Sequence, residues 1–149
     1  MAVKPIPDGF HSVTPFLVVE GASRLIDFAK EAFGAQERFR MDGPDGTVMH
    51  AEIQIGDSII MLGESMGPDN PPLQSMLYVY LPNVDEIHKQ ALAAGATSVQ
   101  EPADQFWGDR SGAVKDAFGN QWWIATHIED VPPEEMEKRA ATAMAQATG

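Results

Sequence analysis

The sequence predicts an α+β fold made of two βαβββ halves. Two observations carry this expectation. A strand, an amphipathic helix and three short strands occur twice in that order, on either side of a stretch rich in proline and glycine. The punctuation repeats as well. Gly34 and Gly95, each placed to stop a helix, lie 61 residues apart, and the turns Gly56-Asp57 and Gly119-Asn120 lie 63 apart. Two copies of about 60 residues are too few and too long for a solenoid. One half alone would leave an apolar sheet face and a helix stripe uncovered. The two must therefore pack together, as a single domain spanning residues 1–149.

The first half covers about residues 12–63, and residues 12–19 read as its first strand. Leu25, Phe28, Ala29, Ala32 and Phe33 then fall at i, i+3, i+4, i+7 and i+8. That is one apolar face at helical period, predicting a helix over residues 22–33. Gly34 follows where a C′ glycine would end it. Residues 36–41, 47–55 and 58–63 read as strands, parted by the turns Gly43-Pro44-Asp45-Gly46 and Gly56-Asp57. Residues 64–74 contain Gly67, Pro68, Asp69, Asn70, Pro71 and Pro72 and read as a linker.

The second half covers about residues 75–127. Residues 75–81 form a strand with Tyr78 and Tyr80 on one face. Asn83 and Glu86 are spaced as a capping pair for a helix over residues 84–94, with Val84, Ile87, Ala91 and Ala94 as its buried stripe. Residues 98–101, 112–115 and 121–126 read as strands, the last two joined by Asp116-Ala117-Phe118-Gly119-Asn120. Of Trp122 and Trp123, one must pack inward and one must face the opposite side of the sheet. Pro132-Pro133-Glu134-Glu135 suits a helix start and predicts a C-terminal helix over residues 132–147. Its stripe, Met136, Ala140, Ala143 and Met144, is weak. It either covers a sheet edge or a partner subunit, or lies free on the surface.

The 149 residues include 22 acidic and 10 basic side chains, a formal charge of −12, and no cysteine. A chain of this length buries roughly 70% of its unfolded surface, so it needs neither a disulfide nor a structural metal to fold. The lack of cysteine removes thiol nucleophiles, redox pairs and thiolate zinc sites. The acidic balance argues against nucleic acid and anionic membranes as partners. No signal-peptide pattern and no run of about 18 apolar residues is present, so a cytoplasmic location is expected.

The strand over residues 47–55 alternates. Met49, Ala51, Ile53 and Ile55 are expected to face the helices, and Val48, His50, Glu52 and Gln54 the other side. His50 and Glu52, two apart, can reach one ligand. They would act either as two donors to a divalent metal or as a base with its orienting carboxylate. A solvated strand face is the alternative. The loop Gln105-Phe106-Trp107-Gly108-Asp109-Arg110-Ser111-Gly112 is the second candidate. Arg110 can grip a carboxylate or phosphate through two N–H groups, and Phe106 and Trp107 can stack on a flat ligand. Here the alternative is a structural loop, with Asp109 paired to Arg110 and Trp107 plugging the core. His11, His88 and His127 are expected as surface or boundary residues. Glycine-rich phosphate loops, GxSxG elbows and HExxH are absent.

Two βαβββ halves with the helix ends Phe33-Gly34-Ala35 and Ala94-Gly95-Ala96 resemble the vicinal oxygen chelate superfamily, which includes glyoxalase I, bleomycin-resistance proteins and extradiol dioxygenases. Within it the chain is similar to the PhnB-like branch. The resemblance covers about residues 4–139. It rests on Pro5-Ile6-Pro7-Asp8-Gly9-Phe10-His11, Val13-Thr14-Pro15-Phe16-Leu17 and Ile26-Asp27-Phe28. Further on it rests on Met49-His50-Ala51-Glu52, Ile55-Gly56-Asp57-Ser58, the loop from Gln105 to Gly112, and Asp116-Ala117-Phe118-Gly119-Asn120.

The resemblance implies a cup formed by the paired halves, with four metal ligands inside it in the metal-dependent members. Those places fall here at about Thr14, Met61, Met76 and Trp123, none of which suits a hard or borderline divalent ion. The cup would instead hold Thr14, Phe16, His50, Glu52, Gln54 and Met61 on one side and Tyr78, Tyr80 and Trp123 on the other. Trp107 and Arg110 would stand at the rim. The expectation is a glyoxalase/bleomycin-resistance-like protein that binds a small-molecule ligand, works as a homodimer and needs no cofactor. A divalent metal could bind only through His50 and Glu52. An enzyme of lyase, isomerase or dioxygenase type using those two residues is one alternative, and an interaction domain with a filled cup is another.

Overall fold

The computed structural model describes residues 2–148. The first half contains β1 (Phe16–Val19), α1 (Ala22–Phe33), β2 (Gln36–Asp42), β3 (Val48–Ile55) and β4 (Ser58–Glu64). The second contains β5 (Met76–Tyr80), α2 (Val84–Ala93), β6 (Thr97–Asp104), β7 (Asp109–Lys115) and β8 (Gln121–His127). The helix α3 (Pro133–Thr148) follows. The strands make two four-stranded mixed sheets of the same topology, β1-β4-β3-β2 and β5-β8-β7-β6. In each, the first and last strands of the half pair in parallel. The registers match too: Phe16 stands opposite Met61, and Tyr78 opposite Trp123, each a step of 62 residues. Two βαβββ units are thus present, as the repeated punctuation predicts.

One core serves both halves. Leu25, Phe28, Ala29, Ala32 and Phe33 bury the face of α1 that helical spacing predicts, and Ile26 is buried with them. They pack with Leu17, Ile53 and Leu62 of the first sheet and with Val114, Trp122 and Ile124 of the second. Full burial of one such aliphatic side chain contributes about 2 kcal/mol. Trp122 is the inward tryptophan, its ring centroid 4.8 Å from that of Phe33 and 6.5 Å from that of Phe28. Its indole N–H would be costly to bury unpaired. It donates to Asp116 at 2.8 Å, and the same carboxylate accepts the backbone N–H groups of Phe118 and Asn120 and the side-chain amide of Asn120.

The helix ends differ in how legible they are. Gly34 closes α1 with φ 68°, a left-handed backbone that costs glycine nothing. The N-termini are capped from the sheets. Glu64 accepts the N–H groups of Gly21 and Ala22, each at 2.8 Å, and Thr126 accepts that of Val84 at 3.1 Å while donating to the Leu81 carbonyl. The expected Asn83 cap does not form. Asn83 sits at φ 62°, ψ 58°, outside the extended backbone from which an asparagine oxygen reaches the first turn.

Four further expectations are corrected. Residues 12–15 precede β1 rather than extending it. In β3 the alternation slips at Met49: Val48 is buried with Ala51, Ile53 and Ile55, while Met49 is exposed. The cause is a bulge, in which Asp42 pairs with Val48 and Met41 with His50, leaving Met49 without a partner across the strand pair. His88 is buried, not at the surface, with Nε2 3.3 Å from Ser98 Oγ. Finally, β6 and β7 are longer than expected, so the loop between them shrinks to residues 105–108.

α3 buries none of its residues and is tied down by Arg139, which bonds Glu129, Glu135 and the Phe106 carbonyl. Among the described residues, no helix is long and apolar enough to cross a membrane.

Candidate functional site

A groove of about 520 Å³ runs between the start of β4 and the edge strand β5. Ile59 and Ile60 form one wall, and Leu77, Tyr78, Val79 and Tyr80 the other. The N-terminal segment closes it through His11, Val13 and Pro15. The turn that begins β4 adds Asp57 and Ser58, so the polar groups are few and stand beside apolar walls. Among the described residues, no lysine or arginine lines the groove. An edge strand presents both of its faces, which is why residues of opposite parity on β5 meet in one groove.

Behind the tyrosine wall lies Asp109, at the first position of β7 and only 2% exposed. Its Oδ2 accepts the hydroxyls of Tyr78 at 2.8 Å and Tyr80 at 2.9 Å and the indole N–H of Trp107 at 3.1 Å. Its Oδ1 lies 2.8 Å from Nδ1 of His127, whose Nε2 lies 2.7 Å from Asp130. Both ring nitrogens thus meet carboxylate oxygens, so both must donate, and the ring is held as an imidazolium. Hydrogen bonds to Asp109 and Asp130 raise the pKa of His127 above its ordinary value. Burial pushes the Asp109 carboxyl up, but the hydrogen bonds of His127, Tyr78, Tyr80 and Trp107 outweigh it and hold its pKa below the ordinary value. Burial raises the pKa of Tyr78, and the bond to Asp109 raises that of Tyr80. Ser111, two residues along the same strand face, is buried with no partner for its hydroxyl among the described residues.

Backbone geometry fixes this cluster. Gly108 has φ 101°, its carbonyl accepts the N–H groups of Ile128 and Glu129, and a Cβ there would collide with the Glu129 carbonyl. No other residue type could bring Trp107 and Asp109 into place from this turn.

The first sheet carries a separate open face. Phe16, Met61, Glu52 and Phe39 stand in one row across β1, β4, β3 and β2. His50 lies beside them, its ring centroid 5.7 Å from Phe16 and 6.2 Å from Phe39. His50 Nε2 is 3.4 Å from Glu52 Oε2. Gln54 accepts Arg38 at 2.7 Å and donates to the Gly56 carbonyl.

Of the residues the sequence singled out, Phe16, His50, Glu52, Gln54 and Met61 therefore share the face of the first sheet. Tyr78, Tyr80 and Trp107 gather on Asp109, and only the two tyrosines among the named residues line the groove. Trp123 stands opposite Tyr78, with its indole N–H on Gln121. Among the described residues, the Thr14 hydroxyl bonds only the His11 carbonyl, at 3.4 Å. Arg110 does not pair with Asp109; it is held by Asp85 and Asp104, at 2.9 and 3.0 Å.

Sequence reasoning missed Asp109 as the hub, His127 as its partner, and Ile59, Ile60, His11 and Val13 as walls. The Tyr-x-Tyr pair was the available signal, since two phenols on one strand face call for a shared acceptor.

The donor set does not fit the divalent ion that the resemblance implies. Thr14, Met61, Met76 and Trp123 offer one weak hydroxyl, two thioethers and an indole that only donates. Among the described residues, no three side chains of His, Cys, Asp or Glu converge on one point. His50 and Glu52 supply two donors that face each other.

Comparison with known proteins agrees with this fold. The family model for the Glyoxalase/Bleomycin resistance protein/Dioxygenase superfamily matches residues 9–124. An uncharacterized protein of Mycobacterium bovis is 36% identical over 138 residues, covering 85% of this chain and 90% of its own. Among solved structures, TioX from Micromonospora sp. ML1 superposes with a TM-score of 0.66 at 27% identity, over 78% of this chain and 100% of that one. A PhnB protein from Bacillus cereus shares the fold with a TM-score of 0.61 at 17% identity, over 78% of this chain and 99% of that one. With residues 9–124 under one family model and the two registers repeating at 62 residues, the chain belongs to the glyoxalase/bleomycin resistance protein/dioxygenase superfamily.

Proposed function

We propose that this protein is a small-molecule-binding member of the superfamily, of bleomycin-resistance type and PhnB-like branch. It holds its ligand without a metal and acts as a cytoplasmic homodimer. The observation that carries this reading is the groove of about 520 Å³ between β4 and β5, with apolar walls and a few polar groups at its ends. That is the usual make-up of a ligand site. The metal-independent part rests on the donor chemistry at Thr14, Met61, Met76 and Trp123. The dimer rests on the two open sheet faces, which leave Phe16, Phe39 and Met41 exposed on one sheet and Met76 and Tyr80 on the other. Exposed apolar patches of this kind favour a covering partner, and a second copy supplies one.

The test is a thermal-shift screen of a small-molecule library with and without EDTA. Compounds that raise the melting temperature equally in both conditions support the reading. A protein whose own melting temperature falls on chelation contradicts it.

A second reading, an enzyme using His50 and Glu52, is favoured by their 3.4 Å approach between two aromatic rings. It expects His50→Ala to abolish metal uptake or turnover while the fold survives. Elemental analysis finding no bound metal in the purified protein, with no loss of ligand binding in His50→Ala, excludes it.

A further inference from the structure

We infer that the groove selects an organic cation, a protonated or methylated amine on a flat apolar body, over a neutral or anionic ligand of the same shape. This rests on the ligand-binding reading and names the class of ligand. Tyr78 and Tyr80 both line the groove, and both spend their hydroxyl protons on Asp109. Each oxygen therefore has only lone pairs left to offer, and is polarised by the carboxylate to which it donates.

The two rings stand 5.3 Å apart at 59°, forming an aromatic corner whose π faces attract a cation. Asp57 adds a carboxylate at the groove, and its only side-chain bond among the described residues is to the adjacent Ser58 hydroxyl. Among the described residues, no lysine or arginine lines the groove. The nearby Arg110 guanidinium is held by two carboxylates, Asp85 and Asp104, and Arg38, which bonds the neutral Gln54, keeps its charge but does not line the groove. The whole chain carries −12, so its long-range field gathers cations and repels anions.

The experiment compares three probes of similar size: phenyltrimethylammonium, its neutral isostere tert-butylbenzene, and benzenesulfonate. Binding is followed by saturation-transfer NMR at physiological ionic strength, in the full chain and in three variants. The expected result is that the ammonium binds roughly tenfold tighter than the isostere, the scale of a partly desolvated cation–π contact. The sulfonate should not bind. Tyr78→Phe with Tyr80→Phe, which keeps the rings but removes the polarised oxygens, should lower the preference without erasing it, and Tyr78→Leu with Tyr80→Leu should erase most of it. Asp57→Asn, on an exposed turn that does not support the core, should weaken the ammonium several-fold and leave tert-butylbenzene unchanged. Equal binding of the isostere or the sulfonate overturns the inference and leaves the ligand-binding reading in place. If none of the probes binds while the library screen yields groove ligands, the inference alone falls. If the screen is also empty, both fall.

Discussion

Glu64 and Thr126 hold the same place in the two halves: each lies at or next to the end of its sheet strand, beside a helix N-terminus, and accepts backbone N–H there, Glu64 from Gly21 and Ala22 and Thr126 from Val84. They are 62 residues apart, as are Gly21 and Asn83, the two left-handed residues that lead into the helices. The duplication is therefore carried by cap geometry as well as by strand order, even though the cap chemistry has diverged from carboxylate to hydroxyl. Replacing a side-chain cap costs about 1–2 kcal/mol. Glu64→Ala is expected at the upper end of that range, since it leaves two N–H groups without their acceptor, and Thr126→Val nearer the lower end. Urea unfolding followed by circular dichroism measures both.

Asp116 is the buried anchor of the β7–β8 turn. It accepts four hydrogen bonds, one of them from the core indole of Trp122. Removing the acceptor strands several buried donors, at about 3 kcal/mol or more. Asp116→Ala is expected to lower stability by at least that amount. Trp122→Phe in the same background should cost less than it does in the wild type, because the stranded indole N–H is gone. A double-mutant cycle from denaturant midpoints reads the coupling.

The Asp109–His127 pair makes stability depend on pH, and the sign follows from the two shifts. His127 has a raised folded pKa, so its contribution is fully present below the unfolded value of 6.5 and is lost as pH rises through the folded value. Asp109 has a depressed folded pKa, so its contribution is present above the unfolded value of 3.8 and is lost as pH falls through the folded value. Both contributions are in place between those two values. The melting temperature of the wild type relative to His127→Gln should therefore be highest there and should shrink as pH rises past 6.5. Paired melting curves from pH 5 to pH 9 show whether the difference narrows.

Much of this fold is legible in the sequence because its signals are local. The period of Leu25, Phe28, Ala29, Ala32 and Phe33 and the stop at Gly34 fix α1 without reference to anything distant. The tryptophan pair divides as alternation requires, with Trp122 buried in the core. What escaped reading depends on contacts between segments. The bulge at Met49 is set by its pairing with β2, and the caps come from strands more than 40 residues from their helices. The burial of His88 needs Ser98 as its partner.

The same limit applies to the candidate site. His50 and Glu52 could be placed on one face by spacing alone. The groove could not, because its walls come from the N-terminal segment, β4 and β5. Sequence adjacency suggests Arg110 as the partner of Asp109, whereas the sheet carries it to Tyr78, Tyr80, Trp107 and His127.

The central claim is that this groove binds a small molecule without a metal. Methyl NMR of the protein in EDTA, titrated with a compound from the screen, addresses it directly. The expected result is a saturable shift of the Ile59, Ile60 and Val79 methyls, unchanged when a divalent cation replaces the EDTA. Binding that appears only with the cation, or shifts confined to Met61 on the His50 face while the groove methyls stay still, would contradict it.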